Sequence, residues 1–479
     1  MGFFALPNLI FLLGWVRPEI GIPVALLVAA GVVWFAVQKN EFPPRPALTL
    51  KSFLLAATVA FLWALVAGVG GVLPQSNDYI KHNLLLHDLV TTNWPVNYSP
   101  TGHDTYLCYA LGYYLVPALA GKLCGMDAVA WVTFLWAFTA LFLFFWGVVT
   151  LTESPRKTVA AILLFAPTGI FWTLFKSHGV PGFVATSGLG LKLLSGGLLY
   201  GESDSFTRFL YGPQHALTCW LGAALIFDRL WTQKNPRGAI FIWTLCVLWS
   251  PLTSLGLLVI PLAACMRADW KKYFEPLNFL ALPLLAVLGI YFQGHLPLSD
   301  KGFIGTFFPG TEWIWYYAAF VLLLYTPLLF LWLVEQKEKI LGEWRPLFFC
   351  CIAMLLLPPL WKFGLAGDLR QQAGGPALLF LALAAAKILQ SDKFSLKKPL
   401  CLLLGGSLLA GALVPVARPL QNLTANSTDY SYANIVQFIG WRSLPDMTDL
   451  RFDIAAQYQG SNNSLAVRRL LKKNTGAAP

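Results

Sequence analysis

Asp78 and His82 stand four residues apart in the stretch Gln75-Ser76-Asn77-Asp78-Tyr79-Ile80-Lys81-His82, a spacing that puts both on one face of a helix. A carboxylate so placed can take a proton from a hydroxyl or amine, and His at i+4 from an acid also suits a metal-ligand pair for a divalent ion. Pro74 ends the apolar run before it, Ser76 or Asn77 can cap a new helix, and Trp94-Pro95 closes that helix. Ile80, Leu84, Leu85 and Leu89 supply an apolar side, so the helix reads as amphipathic and lying at a membrane surface. Asp78 falls in its first turn, where exposed N–H groups and the helix dipole favour the ionised form that a general base or metal ligand needs. Lys81 reads as a headgroup contact. Three further groups could do chemistry: His103-Asp104; the cluster Glu202-Ser203-Asp204, Arg208 and Gln214-His215; and Arg370 in Asp368-Leu369-Arg370-Gln371-Gln372. Each has a plainer reading. Asp104 could cap a helix, the acidic loop could be merely solvated, and Arg370 could be an interfacial anchor paired with Asp368.

The elements that must position these residues are membrane helices. Of 479 residues, 57% are hydrophobic and only 12% charged, whereas a soluble chain carries roughly a quarter charged residues. Apolar runs recur from residue 3 to residue 416, and at roughly 20 residues per span they predict an all-α bundle of about thirteen crossings. The run 238–265 is too long for one helix and is interrupted at Trp249-Ser250-Pro251, which predicts a tight hairpin. The segment 104–123 is read as a second helix on the outer surface, because counting it as a span would put Arg156-Lys157 outside. With that choice the short loops carrying Lys39, Lys51, Arg156, Lys157, Arg229, Lys234, Arg237, Arg267, Lys337 and Lys393 all fall inside. The net charge of +11 then sets topology and is no sign of nucleic-acid binding. Two long outer loops remain, about 74–125 and about 176–213, with a polar outer tail at 417–479 following a membrane domain at 1–416. All six histidines (82, 87, 103, 178, 215 and 295) fall in outer loops or at outer helix ends. The eight cysteines show no CxxC or paired spacing, so neither a disulfide framework nor a zinc site is expected.

An acid just beyond an early membrane helix, then a surface helix ending in Trp94-Pro95, resembles the GT-C superfamily of membrane glycosyltransferases. Protein O-mannosyltransferases and lipid A aminoarabinose transferases belong to it. A second surface segment rich in Tyr and Leu, ending Gly121-Lys122-Leu123-Cys124-Gly125, and the basic turn Ser154-Pro155-Arg156-Lys157 extend the likeness over residues 52–175. The chain departs from the family where an acid often follows the first one, since Tyr79 stands there. It departs again where Pro-Pro-Leu is usual, since His103-Asp104-Thr105 stands there. The resemblance implies transfer of a sugar from a polyprenyl-phosphate carrier to a lipid, glycan or protein acceptor on the outer side of the membrane, and the short loops and lack of sorting signals point to a bacterial inner membrane. Asp78 is expected to be the general base, with inversion at the anomeric carbon. His82, His103, Asp104, Glu202, Asp204 and His215 are expected to support substrates, and Arg370, Lys81 and Arg208 to hold the lipid phosphate.

Several other chemistries lose support. There is no glycine-rich phosphate loop, HExxH or GxSxG, which argues against ATP-driven transport and protease chemistry. Two alternatives stay open: a polysaccharide polymerase or ligase of another membrane family, and a transporter or flippase for lipid-linked sugars. Transporters usually carry charges within their spans and show inverted repeats; these spans are nearly free of charge and show no repeat.

Overall fold

Lipid offers no partner for backbone N–H and C=O groups, so each apolar run closes its own hydrogen bonds as a helix. The computed structural model describes residues 1–37, 49–152, 154–166, 204–267, 270–297, 301–364, 367–424, 430–449 and 457–473. In chain order its helices begin with α1 (Gly2–Gly14), α2 (Pro18–Val37), α3 (Leu50–Val66), α4 (Tyr79–Thr91), α5 (Leu115–Cys124), α6 (Met126–Leu151) and α7 (Pro155–Leu164). They continue with α8 (Ser205–Tyr211), α9 (213–232), α10 (Ala239–Val247), α11 (Pro251–Cys265) and α12 (Pro276–Gln293). The last are α13 (Glu312–Leu324), α14 (Thr326–Glu338), α15 (Arg345–Leu356), α16 (Asp368–Leu389) and α17 (Pro399–Thr424). Four short strands form two antiparallel pairs: β1 (Thr105–Leu107) with β4 (Gln459–Ser461), and β2 (Lys301–Phe303) with β3 (Trp361–Phe363).

Among the described residues, six helices are long and apolar enough to cross a membrane, or seven if the bent pair α13–α14 is one span. The chain is therefore a helical integral membrane protein, but several of the expected thirteen crossings take shorter or broken forms. The expected hairpin at 238–265 is present: Ser250 caps α11 by accepting from the Thr253 N–H, with Pro251 in the first turn. Helix α9 keeps right-handed backbone angles through every junction but contains π-turns at Thr218–Gly222 and Asp228–Thr232. The predicted span at 158–175 is described only to residue 166, and most of the second outer loop, with Glu202 and His178, lies outside the described residues.

Helix α16 is the hub. Its sequence is rich in Gly and Ala, and 78% of its apolar window is buried, against 22% for the perimeter helix α17. Small residues let neighbours come close where no hydrophobic effect drives helices together. Gly256 of α11 lies directly on the Ala373 carbonyl, and a Cβ on Gly375 would meet Cys219 Sγ at 3.1 Å. The perimeter instead turns Leu26, Trp131, Leu409 and Leu413 outward, as a bundle solvated by lipid should.

Helices α6 and α16 each have one end on the side of the 74–125 loop and the other near a basic turn. Helix α6 starts beside α5 and ends at the Ser154–Lys157 turn, which lies against Lys51. Helix α16 starts at Asp368 and ends near Lys393. The bundle thus has a cavity face and a basic face. The segment beyond α17 is no separate tail. Helix α17 itself runs to Thr424, past the expected boundary, and residues 430–449 and 457–473 pack onto the cavity face.

Candidate functional site

Helix α4 forms where expected but starts differently. Asp78, not Ser76 or Asn77, occupies the N-cap position, and its carboxylate bonds no helix N–H. Instead it takes the Lys81 ammonium at 2.8 Å, one turn on, while Ser76 Oγ donates to the Leu210 carbonyl. The helix is not laid on an open surface. Leu84, Leu85 and Leu89 are buried, and so are His82 and Asp88 on the same side of the helix: Tyr114 and Tyr211 cover His82, and residues 430–447 meet the helix at Asn83, His87 and Asp88. Asn83 donates to the Tyr430 carbonyl, His87 stacks on Tyr432 at 3.5 Å, and Asp88 accepts from the Leu444 N–H at 2.9 Å and the Tyr98 hydroxyl at 3.0 Å. Burial pushes the Asp88 carboxyl above the usual range, against those hydrogen bonds.

The Gly121-Lys122 element finishes the same helix. Lys122 Nζ donates to the Val90 and Thr92 carbonyls at 3.0 and 2.6 Å, a cation on the negative end of α4. A Cβ on Gly121 would lie 2.6 Å from Val90 and Val129 side chains, so glycine is what lets α5 pass between α4 and α6. The second surface segment is helical only over α5. Its cap position is Tyr114, not Asp104, and its first part is strand β1.

A cavity of about 390 Å³ opens on this face. Tyr109, His215, His295, Lys301, Asp368 and Gln457 supply its polar lining, with Phe292 and Phe363 among the apolar walls. Asp78 is not part of that lining, and its side chain is 35% exposed. Lys81 connects the two: it holds Asp78 and interacts electrostatically with Tyr458, Tyr109 and Asp368. Burial works against the Lys81 charge, but Tyr458, Asp78 and Tyr109 outweigh it and hold the ammonium pKa above its ordinary value.

The expected site residues divide into three groups. Asp78, Lys81 and His215 gather at or beside the cavity. His215 Nδ1 lies 2.7 Å from Ser250 Oγ, whose own hydrogen goes to Thr253 Oγ1 at 2.7 Å. The imidazole must then donate from Nδ1, which leaves Nε2 as the acceptor. Arg208 and Arg370 are buried around the first turns of α16, Arg208 donating to the Gln371 carbonyl and Arg370 lying 5.1 Å from the Phe320 ring centre. Neither lines the cavity; its cation is Lys301. Beyond Phe320, an apolar groove of about 400 Å³ runs between α13–α14 and α15, lined by Val321, Tyr325, Leu329, Trp332 and Leu355.

The remaining residues serve the scaffold. His82 Nδ1 lies 2.7 Å from the Tyr114 hydroxyl and Nε2 lies 3.2 Å from the Tyr211 carbonyl, so its bonds tie α4 to α5 and α8 and not to Asp78. Burial, with Lys81 nearby, pushes its pKa down to about 3, so the ring is neutral. Asp204 caps α8 through Thr207, and exposed Asp104 accepts from Asn462 at 3.0 Å. His103 sits half-buried in the turn before β1. Among the described residues, no three His, Cys, Asp or Glu side chains stand close enough together to hold a metal ion.

Sequence reasoning missed Tyr109, Lys301, Gln457 and Tyr458, and took Asp368 only as a partner for Arg370. Only Asp368 carried a signal, as an acid opening a span just after Gly367. The other four are distant in sequence and meet only because the chain beyond α17 folds back.

Fold and site together define a polytopic helical membrane protein with a polar cavity at one end of an apolar bundle. No protein-family model matches the chain, and no curated protein matches it. Among solved structures it is similar to the arabinofuranosyltransferase AftD from Mycobacteria, solved by single-particle cryo-electron microscopy. The identity is 16% and the TM-score 0.37, over 78% of this chain and 27% of that one. The chain therefore spans about a quarter of that protein's length, and so loose a superposition carries no residue correspondence.

Proposed function

We propose that the protein is a glycosyltransferase that moves a sugar from a polyprenyl-phosphate-linked donor to an acceptor hydroxyl or amine at the cavity face. The observation that carries the reading is the acid- and histidine-lined cavity at one end of an otherwise apolar bundle. The basic residues at the opposite end make that end cytoplasmic by the positive-inside rule, so the cavity faces outward from a bacterial inner membrane. Nucleotide sugars are not supplied there, and a donor delivered through the bilayer answers that need. The apolar groove leading from Phe320 suits an isoprenoid chain, with Arg370 and Lys301 as cations for its phosphate.

Asp78 is the general base. In the resting arrangement Lys81 neutralises it; as the lipid phosphate arrives, the ammonium turns towards the new anion and the carboxylate becomes free. The acceptor proton passes to Asp78 while the acceptor atom forms its bond to the anomeric carbon. The bond from that carbon to the phosphate oxygen breaks on the other side, its electron pair leaving with the polyprenyl phosphate, and configuration inverts. His215 Nε2, Tyr109 and Gln457 are placed to bind sugar hydroxyls.

The test uses purified protein in proteoliposomes with undecaprenyl phosphate carrying tritiated pentoses or hexoses. Release of undecaprenyl phosphate is expected, and Asp78→Asn should slow it by about 10²–10⁴-fold while the protein still binds the lipid. Passage of intact lipid-linked sugar between leaflets, with no bond cleaved and no effect of Asp78→Asn, would establish a flippase instead.

A further inference from the structure

We propose that the segment 457–473 is a strap belonging to the transfer site, with Tyr458 and Gln457 as positioning residues for Lys81 and Asp368. The inference rests on reading the cavity as a transferase site. Physically, the strap is pinned at three separate places on the cavity face. Strand β4 pairs with β1, and the Cys108 N–H donates to the Tyr458 carbonyl at 2.9 Å. At the end of α12, Leu296 N–H donates to the Gln459 carbonyl at 3.0 Å and Ser461 N–H to the Gly294 carbonyl at 2.9 Å. At the α1–α2 turn, Arg17 Nε donates to the Leu471 carbonyl at 2.9 Å and the Lys472 N–H to the Trp15 carbonyl at 2.9 Å.

That much anchoring fixes what the strap's first two residues touch. Tyr458 is 4% exposed, packs edge-on to Tyr109 at 4.7 Å and stands within electrostatic reach of Lys81. Gln457 lines the cavity with its amide nitrogen 3.5 Å from Asp368 Oδ2. One dipeptide therefore reaches both the lysine that governs Asp78 and the acid on the cavity wall. Those two belong to elements almost 290 residues apart in sequence (81 and 368), and no backbone connection holds them in register. The crossing is tight: a Cβ on Gly460 would lie 2.5 Å from the Tyr106 ring and 2.8 Å from the Gly294 carbonyl oxygen. A side chain there must lift the strap while leaving every cavity side chain chemically unchanged.

The experiment compares wild type, Tyr458→Phe, Gly460→Val and a control, Arg469→Ala, exposed on the same strap. Two readouts are taken in proteoliposomes: acetylation of the Lys81 amine by acetic anhydride, followed by mass spectrometry, and release of undecaprenyl phosphate from its sugar-linked form. Gly460→Val should raise Lys81 acetylation by about tenfold, the equivalent of one pKa unit, and Tyr458→Phe by a smaller factor. Tyr458→Phe should lower kcat by roughly tenfold at unchanged donor KM, as misplacement of a catalytic group does. Arg469→Ala should match wild type in both. Unchanged Lys81 acetylation in both strap variants overturns the proposal, and if Gly460→Val does not fold, Tyr458→Phe decides alone. A wild-type protein that releases no undecaprenyl phosphate from any donor overturns the transferase reading by itself, and the acetylation result still decides whether the strap positions Lys81.

Discussion

The two faces of the bundle treat charge in opposite ways. On the basic face, Lys234 and Arg267 share Glu343 at 3.8 and 3.0 Å, and Lys398 meets Glu338 at 2.9 Å, all with water close by; the Glu343 side chain is 61% exposed. Such pairs contribute little to stability, because screening and side-chain entropy offset most of the attraction. Glu335 and Arg229 are exceptions. Glu335 is buried and accepts from the Ile340 and Leu341 N–H groups at 2.9 Å, closing the end of α14, and buried Arg229 donates to the Arg237 carbonyl at 2.8 Å. On the cavity face the charged and titratable groups are mostly withdrawn from water and linked into networks, as with Asp88, His82, Lys81 and Arg208. Burial of that kind costs desolvation and persists only where partners or chemistry compensate it. The basic face needs charge for topology alone, and the cavity face needs charge at particular places.

Four substitutions separate the faces, taken from the largest expected effect down. Asp368→Asn on the cavity wall should lower undecaprenyl phosphate release by about 10²-fold with little change in melting temperature, the size expected of a displaced proton-handling group. Equal activity would remove Asp368 from the site. Asp88→Ala should destabilise the protein by about 2–4 kcal/mol, because it leaves the Tyr98 hydroxyl and the Leu444 N–H buried without their acceptor. Chemical denaturation in detergent measures it, and release of residues 430–449 to protease should accompany the loss.

The third concerns pH. His82 has a folded pKa of about 3 against an ordinary 6.5, so between those values the unfolded chain takes up a proton that the folded ring refuses. Stability should therefore be flat above about pH 7.5 and fall as pH drops from 6.5 towards 3. His82→Asn removes that contribution, and melting curves at pH 7 and pH 4.5 should lie closer together than in wild type. An unchanged gap would mean that His82 is protonated in the folded state. The smallest effect belongs to Glu343→Gln on the basic face, which should leave melting temperature and turnover indistinguishable from wild type. A large loss there would mean that the two faces do not differ as described.

The acid at position 78 could be placed from the sequence because its signals are local: Pro74 before it, apolar spacing after it, and Trp94-Pro95 at the far end. The same holds for the membrane class, the broken run at Trp249-Ser250-Pro251 and the gathering of basic loops at one end. What was misjudged depended on contacts between distant segments. Ser76 was open as a cap because its hydroxyl's true partner, the Leu210 carbonyl, is more than 130 residues away. His82 suited a metal or a substrate only until Tyr114 and Tyr211 claimed its two nitrogens.

The sequence by itself determined that this chain lives in a membrane, where its apolar runs lie, which loops carry the positive charge, and that an acid opens the helix after Pro74. Those properties follow from hydropathy, helix periodicity and capping, which act over a few neighbouring residues. Only the tertiary structure decided that the cavity is walled by Asp368, Lys301 and Gln457, and that residues 457–473 return to pack Tyr458 on Tyr109. Such contacts close loops hundreds of residues long, and no local preference records which distant partner will satisfy a buried polar group.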